Sequence, residues 1–344
     1  MPLFPEPLAG LIEEHTIDSS LLRENILGDP HVRPLWVYTP PGYDPGSERM
    51  YPTIYLLQGF TGTLQDWCTH SPFRQNVPQL VDGLFRRGDA PPAILVFVDA
   101  WTSYGGSQFI DSTGTGRYHS YLCEEIVPWV DQEYRTIQDC AHRAITGKSS
   151  GGFGAMATAM LRPDLFGAFA THSGDAHYEA QYIPAFLQAA RMLRAYDGSI
   201  EKWWEDFRGR RAFTKGEDMR LLEVLGISAC FSPGPDGRPL LPFDTSTGQI
   251  LPEVWERWLR WDPVRMVGQY CEALHSQKGM WIDAGTYDEW HLDLGAKAFR
   301  NELKRIEVPD HRIHFELFGG GHFGIEHRQP MSVKWLAELL SPEE

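Results

Sequence analysis

Short apolar runs, each stopped by a glycine or an acid, recur along the first half of the chain. Thr53–Gln58 (TIYLLQ) stops at Gly59, and Ala93–Val98 (AILVFV) stops at Asp99. Runs this short, with no polar alternation, suit strands buried on both faces of a parallel sheet. His31–Tyr38 (HVRPLWVY) reads as a further strand ending at the turn PPGYDPGS. The period then changes. Leu122, Ile126, Val130 and Tyr134 recur every fourth position, one stripe of a helix over His119–Tyr134, and Pro128 inside it predicts a kink. Arg143–Thr146 is a short strand, Phe153–Leu161 a small-residue helix and Phe166–Thr171 the next strand. Met280–Asp283 and Arg312–Leu317 follow as strands, and Met331–Leu340 closes the chain as a helix. Strands alternating with helices predict an α/β fold with a mostly parallel central sheet flanked by helices.

The alternation lapses between residues 176 and 275. Helical pieces (Glu179–Tyr196, Glu201–Phe207, Glu217–Leu225, Pro252–Trp261) surround a turn-rich stretch, SPGPDGRPLLP. No Gly/Ser or charged linker flanks this block. It reads as a helical cap, 176–275, inserted into one catalytic domain made of 1–175 and 276–344.

Candidate chemistry sits where strands end. Gly147-Lys148-Ser149-Ser150-Gly151 matches G-x-S-x-G, with a strand before it and a helix after it. That motif places a nucleophile on a strained strand-to-helix turn, and small residues two positions either side let backbones approach. Ser149 is therefore the candidate nucleophile. Ser150 has Lys148 at its −2 position and instead offers its backbone N–H to an oxyanion hole. The run GFGAMA (Gly152–Ala157) also fits a dinucleotide fingerprint, but no strand ending in an acid follows about 20 residues on. A serine hydrolase of this type needs an acid and then a histidine after the serine. Asp288 is the preferred acid and Glu289 the alternative, while Asp283 is assigned to its turn. His322, in FGGGHFG, is the candidate general base. The second oxyanion N–H should come from the loop Gln58–Gly62, with Phe60 first and Thr61 next. His311 and His314, three apart on a strand, point to opposite faces and cannot share a metal. No metal and no cofactor are expected.

Charge and composition narrow the partners. The net charge of −15 argues against nucleic acid or an anionic membrane, since both need basic patches. No apolar stretch approaches a membrane span, and MPLFPEPLAGLIEEH lacks the basic start of a signal peptide. The five cysteines show no C-x-x-C spacing and fit free thiols in a reducing compartment, so a cytoplasmic protein is expected. The partner is expected to be a small-molecule ester, and a homo-oligomer stays open. Tryptophan is abundant, twelve in all. Trp203, Trp204, Trp255, Trp258 and Trp261 fall in the insertion, and the last three share a helix face that either packs on the core or walls a pocket. Trp67, Trp101 and Tyr104, in the loops after the third and fourth strands, are expected in the substrate pocket with Gln58.

Taken together, TPPGY, YLLQGFTGT, EEIVPWVDQEY, TGKSSGGFGAM, DAGTYDEW and GGGHF, in that order, resemble the putative-esterase branch of the α/β-hydrolases. That branch includes esterase D (S-formylglutathione hydrolase), feruloyl esterases, enterochelin esterases and mycolyltransferases. The resemblance covers about residues 30–175 and 276–340. It implies an α/β-hydrolase fold and a Ser149-Asp288-His322 triad, and the similarity of LQGFTGT to the esterase D oxyanion loop supports Phe60. Two positions depart from the pattern: Lys148 stands where histidine is frequent, and Gln58 where histidine or serine is usual. The expected activity is a serine carboxylic-ester hydrolase acting on a small or aromatic ester. The rivals are an acyltransferase with the same triad and a non-catalytic binding module of the same fold.

Overall fold

In the computed structural model, which describes residues 7–69, 73–211 and 213–342, the uninterrupted apolar runs form the middle of one sheet. Its strands are β1 (Leu11–Asp18), β2 (Val32–Thr39), β3 (Thr53–Leu57), β4 (Ile94–Val98), β5 (Arg143–Lys148), β6 (Ala168–His172), β7 (Gly279–Gly285) and β8 (Ile313–Phe318). They lie in the order β1-β2-β4-β3-β5-β6-β7-β8. β1 and β2 are antiparallel to their neighbours, and β4 through β8 run parallel. Every position of β3, β4 and β6 is buried, as expected where helices cover both faces. β1 was not anticipated as a separate strand. Its sequence, LIEEHTID, lies at the sheet edge and stays half exposed, so it carries no apolar run to read.

Helices α1 (Val77–Arg87), α2 (Val127–Glu133), α3 (Ser150–Leu161), α4 (Tyr178–Met192), α5 (Ile200–Gly209), α6 (Asp218–Phe231), α7 (Pro252–Leu259), α8 (Leu292–Arg305) and α9 (Arg328–Leu340) accompany these strands. α1 and α9 cover one face of the sheet, with Val77, Val81, Phe85, Val333 and Leu336 on Ile54, Leu56 and Leu95. α2, α3 and α8 cover the other face. Pro128 cannot donate a helical hydrogen bond, and its ring crowds the preceding turn. The chain absorbs this as a widened π-helical turn over Tyr121–Ile126 before α2 begins.

Helices α4 to α7 fill the stretch between β6 and β7. Their interior continues the core on α3: the ring of Phe153 lies 5.7 Å from Phe231 and 6.3 Å from Tyr178. Trp255 and Trp258 point into this core, Trp258 lying 5.1 Å from Tyr182 and 5.3 Å from Phe186. The indole N–H of Trp258 donates to Ser232 Oγ at 2.8 Å. Of the two roles open to these tryptophans, packing is the one they take. Trp261 lies beyond the end of α7 and stacks on Phe231 at 6.3 Å. Among the described residues, no helix is long and apolar enough to cross a membrane.

Candidate active site

The parallel strands end on one edge, where β5 passes into α3 through Ser149. Ser149 has φ 58° and ψ −126°, a left-handed backbone that costs a non-glycine residue about 1–3 kcal/mol. Its neighbours explain how the turn closes. A Cβ on Gly147 would lie 2.3 Å from the Gly151 carbonyl oxygen, and one on Gly151 would lie 2.3 Å from that of Leu57. The N–H of Ser149 donates to the carbonyls of His172 (3.0 Å) and Ser173 (3.1 Å), and its own carbonyl accepts from Phe153 (2.9 Å). The turn is therefore pinned from β6 and from α3. The glycines of GFGAMA have packing duties. A Cβ on Gly152 would meet Gly174 at 2.7 Å, and one on Gly154 would meet Phe109 at 2.6 Å.

The loop after β3 runs against the serine. A Cβ on Gly59 would lie 3.4 Å from Ser149 Cβ. Thr61 has φ 65°, and its N–H is taken by the Gly105 carbonyl at 2.8 Å. Among the described residues, the N–H groups of Phe60 and Ser150 have no hydrogen-bond partner. Two free donors thus flank the serine, and Thr61 is not one of them. The Phe60 ring is wedged against Gly105 and Gly226, where a Cβ would lie 2.7 and 2.9 Å from it, and lies close to Gly106.

His322 is buried, and its Nδ1 lies 2.9 Å from Asp288 Oδ2. The other Asp288 oxygen accepts the Trp290 N–H at 3.0 Å. Glu289 takes a different position and accepts the backbone N–H of His322 at 2.7 Å. Burial pushes the Asp288 carboxyl up, but the hydrogen bond and charge of His322 outweigh it and hold the group below its ordinary value. The loop carrying His322 lies over the elbow, since Lys148 Nζ sits 5.3 Å from the Phe323 ring. Burial lowers the pKa of that lysine. Among the described residues, Ser149 Oγ makes no hydrogen bond. Such bonds are often loose without substrate and tighten in the complex.

The four residues expected in the pocket separate. Gln58 and Trp101 line a small cavity with Phe60, Gln108 and Ser150, of about 10 Å³, room for one water. The Gln58 side chain also braces its own loop, donating from Nε2 to the Thr63 carbonyl at 3.1 Å. Tyr104 is half-buried and meets Trp204 of α5 edge-on at 5.1 Å. Trp67 corrects the expectation. It is buried on the α1 face of the sheet, 5.5 Å from Phe97, because the apolar residues of the turn Leu64–Trp67 face inward.

Asp283 is a second correction, because it does not serve its turn. Its carboxylate is buried and pairs with His172 Nδ1 (2.7 Å), the Trp281 indole N–H (2.7 Å) and Arg328 Nε (3.0 Å). Burial pushes its carboxyl up, and His172, Trp281 and Arg328 together bring it below its ordinary value. His172 Nε2 reaches Ser332 Oγ at 2.8 Å, so the cluster ties β6, β7 and α9 together under the elbow. Sequence reading also missed Asp175. One of its oxygens accepts from Gln108 Nε2 (3.1 Å), Ser150 Oγ (3.2 Å) and the Tyr182 hydroxyl (3.3 Å). Burial raises its pKa, with Gln108 and His322 offsetting only part of the effect. Its position just past the end of β6, in SGD, was the available signal. Among the described residues, no group of three or more His, Cys, Asp or Glu is arranged to hold a metal ion.

Comparison with known proteins bears on the fold and the family. The fold matches a ferulic acid esterase with a TM-score of 0.61 and 18% identity, over 97% of this chain and 100% of that one. It matches an S-formylglutathione hydrolase from Agrobacterium tumefaciens with a TM-score of 0.55 and 16% identity, over 98% of each. These place the chain among α/β-hydrolase folds. In sequence it is 27% identical over 161 residues to an endo-1,4-beta-xylanase/feruloyl esterase of Xylanibacter ruminicola, a match covering 46% of this chain. The chain spans only 21% of that relative's length. Residues 30–323 match the family described as "Putative esterase". The chain belongs to the putative-esterase family.

Proposed function

We propose that the chain is a serine carboxylic-ester hydrolase that works through an acyl-enzyme, with Ser149 as nucleophile, His322 as base and Asp288 as acid. The observation that carries this reading is the strained Ser149 flanked by the unpartnered N–H groups of Phe60 and Ser150. Ser150 is buried and Phe60 half-buried, and a developing oxyanion is the acceptor that this unpartnered pair suits.

Ser149 Oγ attacks the ester carbonyl, and its proton passes to His322 Nε2. The carbonyl oxygen, now negative, accepts from Phe60 and Ser150. His322 returns the proton to the departing alkoxide, leaving an acyl ester on Ser149. Water, deprotonated by the same imidazole, then attacks the acyl carbon, the imidazolium returns that proton to the departing Ser149 Oγ, and the acid leaves. Asp288 fixes the tautomer with the proton on Nδ1 and stabilises the imidazolium. Besides the ester, the reaction consumes only water, so the reading assigns no cofactor.

The exposed rings of Tyr287 and Phe323, next to Asp288 and His322, favour a small or aromatic ester. Residues 176–275 act as a cap in this reading, supported by the Tyr104–Trp204 contact and by the Tyr182 hydroxyl on Asp175. Cys68, Cys123, Cys140, Cys230 and Cys271 are all free thiols, which supports a reducing, cytoplasmic setting. The test is turnover of p-nitrophenyl acetate and methyl ferulate by the native chain and by Ser149→Ala. The native chain should release acid from at least one of them, and the variant should lose at least 1000-fold in kcat (roughly the contribution of such a nucleophile). Most activity retained in Ser149→Ala would sink the assignment.

A further inference from the structure

The helical segment between β6 and β7 reaches the imidazole. On α6, Glu223 Oε1 accepts the indole N–H of Trp290 at 2.9 Å, across 67 residues of sequence. Trp290 belongs to the acid loop. Its backbone N–H donates to Asp288 Oδ1 at 3.0 Å, and its ring lies 4.7 Å from the His322 ring. Arg220, one turn before Glu223, ion-pairs with it and places its guanidinium 5.6 Å from the Trp290 ring. Arg220 Nε also donates to Gln188 of α4 at 3.2 Å. Glu223 is buried, and both of its carboxylate oxygens are engaged, Oε1 by the Trp290 indole and Oε2 by Arg220.

We propose that Glu223 is a positioning residue for catalysis: through Trp290 it fixes the acid loop and the face of His322, so the α6 helix is part of the machinery that seats the general base. This inference rests on His322 and Asp288 having the roles given above. A lid that only shapes the pocket would have no reason to bury a charged group against the acid loop. A buried carboxylate is costly to maintain unless it is paired and hydrogen-bonded. Here its two partners are the arginine that steadies it and the indole that touches the imidazole. A tilt of the imidazole by a fraction of an ångström is expensive, since misplacement of about 1 Å costs on the order of 100-fold in rate.

The experiment compares Glu223→Ala, Glu223→Gln, Trp290→Phe and the double variant Glu223→Ala/Trp290→Phe, with p-nitrophenyl acetate, a substrate too small to need a shaped pocket. Glu223→Ala should lower kcat by roughly 10- to 100-fold with KM within about twofold. Glu223→Gln keeps an oxygen acceptor for the indole and should recover most of the loss. Trp290→Phe keeps a ring but loses the donor, and should resemble Glu223→Ala. The double variant should be no slower than the worse single variant, because both remove the same contact. If Glu223→Ala fails to fold, Trp290→Phe and Glu223→Gln carry the test: a large kcat loss in the first and a small one in the second. The proposal is overturned if kcat stays within about twofold in Glu223→Ala or Trp290→Phe, if the loss lies in KM, or if the two losses multiply. Ser149→Ala separates the two levels: retained activity there removes the triad reading itself, whereas an inert Ser149→Ala beside a normal Glu223→Ala removes only this inference.

Discussion

Replacing Asp283 with alanine tests whether the buried cluster under the elbow supports the fold. The carboxylate accepts from His172, Trp281 and Arg328 with almost no exposure. Removing one partner of a buried ion pair costs about 3–5 kcal/mol. Arg328 keeps Glu316 as a second partner, which places the charge part of the loss near the lower figure. The indole N–H of Trp281 is left without its acceptor, adding about 1 kcal/mol. The expected loss is therefore about 4 kcal/mol. With unfolding entropy of about 2.1 cal/mol/K per residue, that lowers Tm by roughly 5–6 °C for a chain of this length. Urea unfolding followed by tryptophan fluorescence at pH 7 reads the difference as a shift in midpoint at constant slope. The pH dependence gives an independent check. Asp283 titrates lower in the folded chain than in the unfolded one. Its contribution is present above the unfolded value near 3.9 and is lost as pH falls through the folded value. The gap between native chain and variant should therefore narrow below about pH 4. A loss under about 1 kcal/mol at pH 7, or a gap that widens in acid, would refute the reasoning.

Asp175 should behave in the opposite way. Its pKa is raised by burial, so its ionisation opposes folding once pH exceeds the unfolded value. Asp175→Asn should raise the urea midpoint at pH 7, with the advantage disappearing in acid, and a lowered midpoint at pH 7 would count against it. Gln108 can accommodate the change by turning its amide, since its Oε1 has no partner. Gly147→Ala and Gly151→Ala each put a methyl 2.3 Å from a carbonyl oxygen, so each should lower kcat by at least 100-fold or prevent folding. Soluble expression with native-like turnover by either would mean that the elbow relaxes more than its packing allows.

The parts of the fold that could be read from sequence are those where one local rule decides. TIYLLQ and AILVFV became central strands because both faces of the sheet are covered, and a short apolar run has no other stable place. The elbow was legible because its steric constraint acts over five residues. β1 escaped because an edge strand keeps polar positions. Contacts over long sequence distances escaped as well. Asp283 looks like a turn residue until Arg328 and His172 arrive beside it. Trp67 looks like a pocket residue until the turn Leu64–Trp67 faces the sheet. The acid loop offered two carboxylates one residue apart, and only folding assigned Asp288 to the imidazole and Glu289 to the backbone. Nothing local links Glu223 to Trp290, because their hydrogen bond forms only once α6 packs over the acid loop.

The central claim is that Ser149 is an activated nucleophile. The most direct measurement is treatment of the folded native chain with a fluorophosphonate probe, followed by mass mapping of the adduct. A stoichiometric adduct on Ser149, slowed at least 100-fold in His322→Ala, is the predicted result. No adduct, an adduct on another serine such as Ser150, or labelling equally fast without His322 would contradict it.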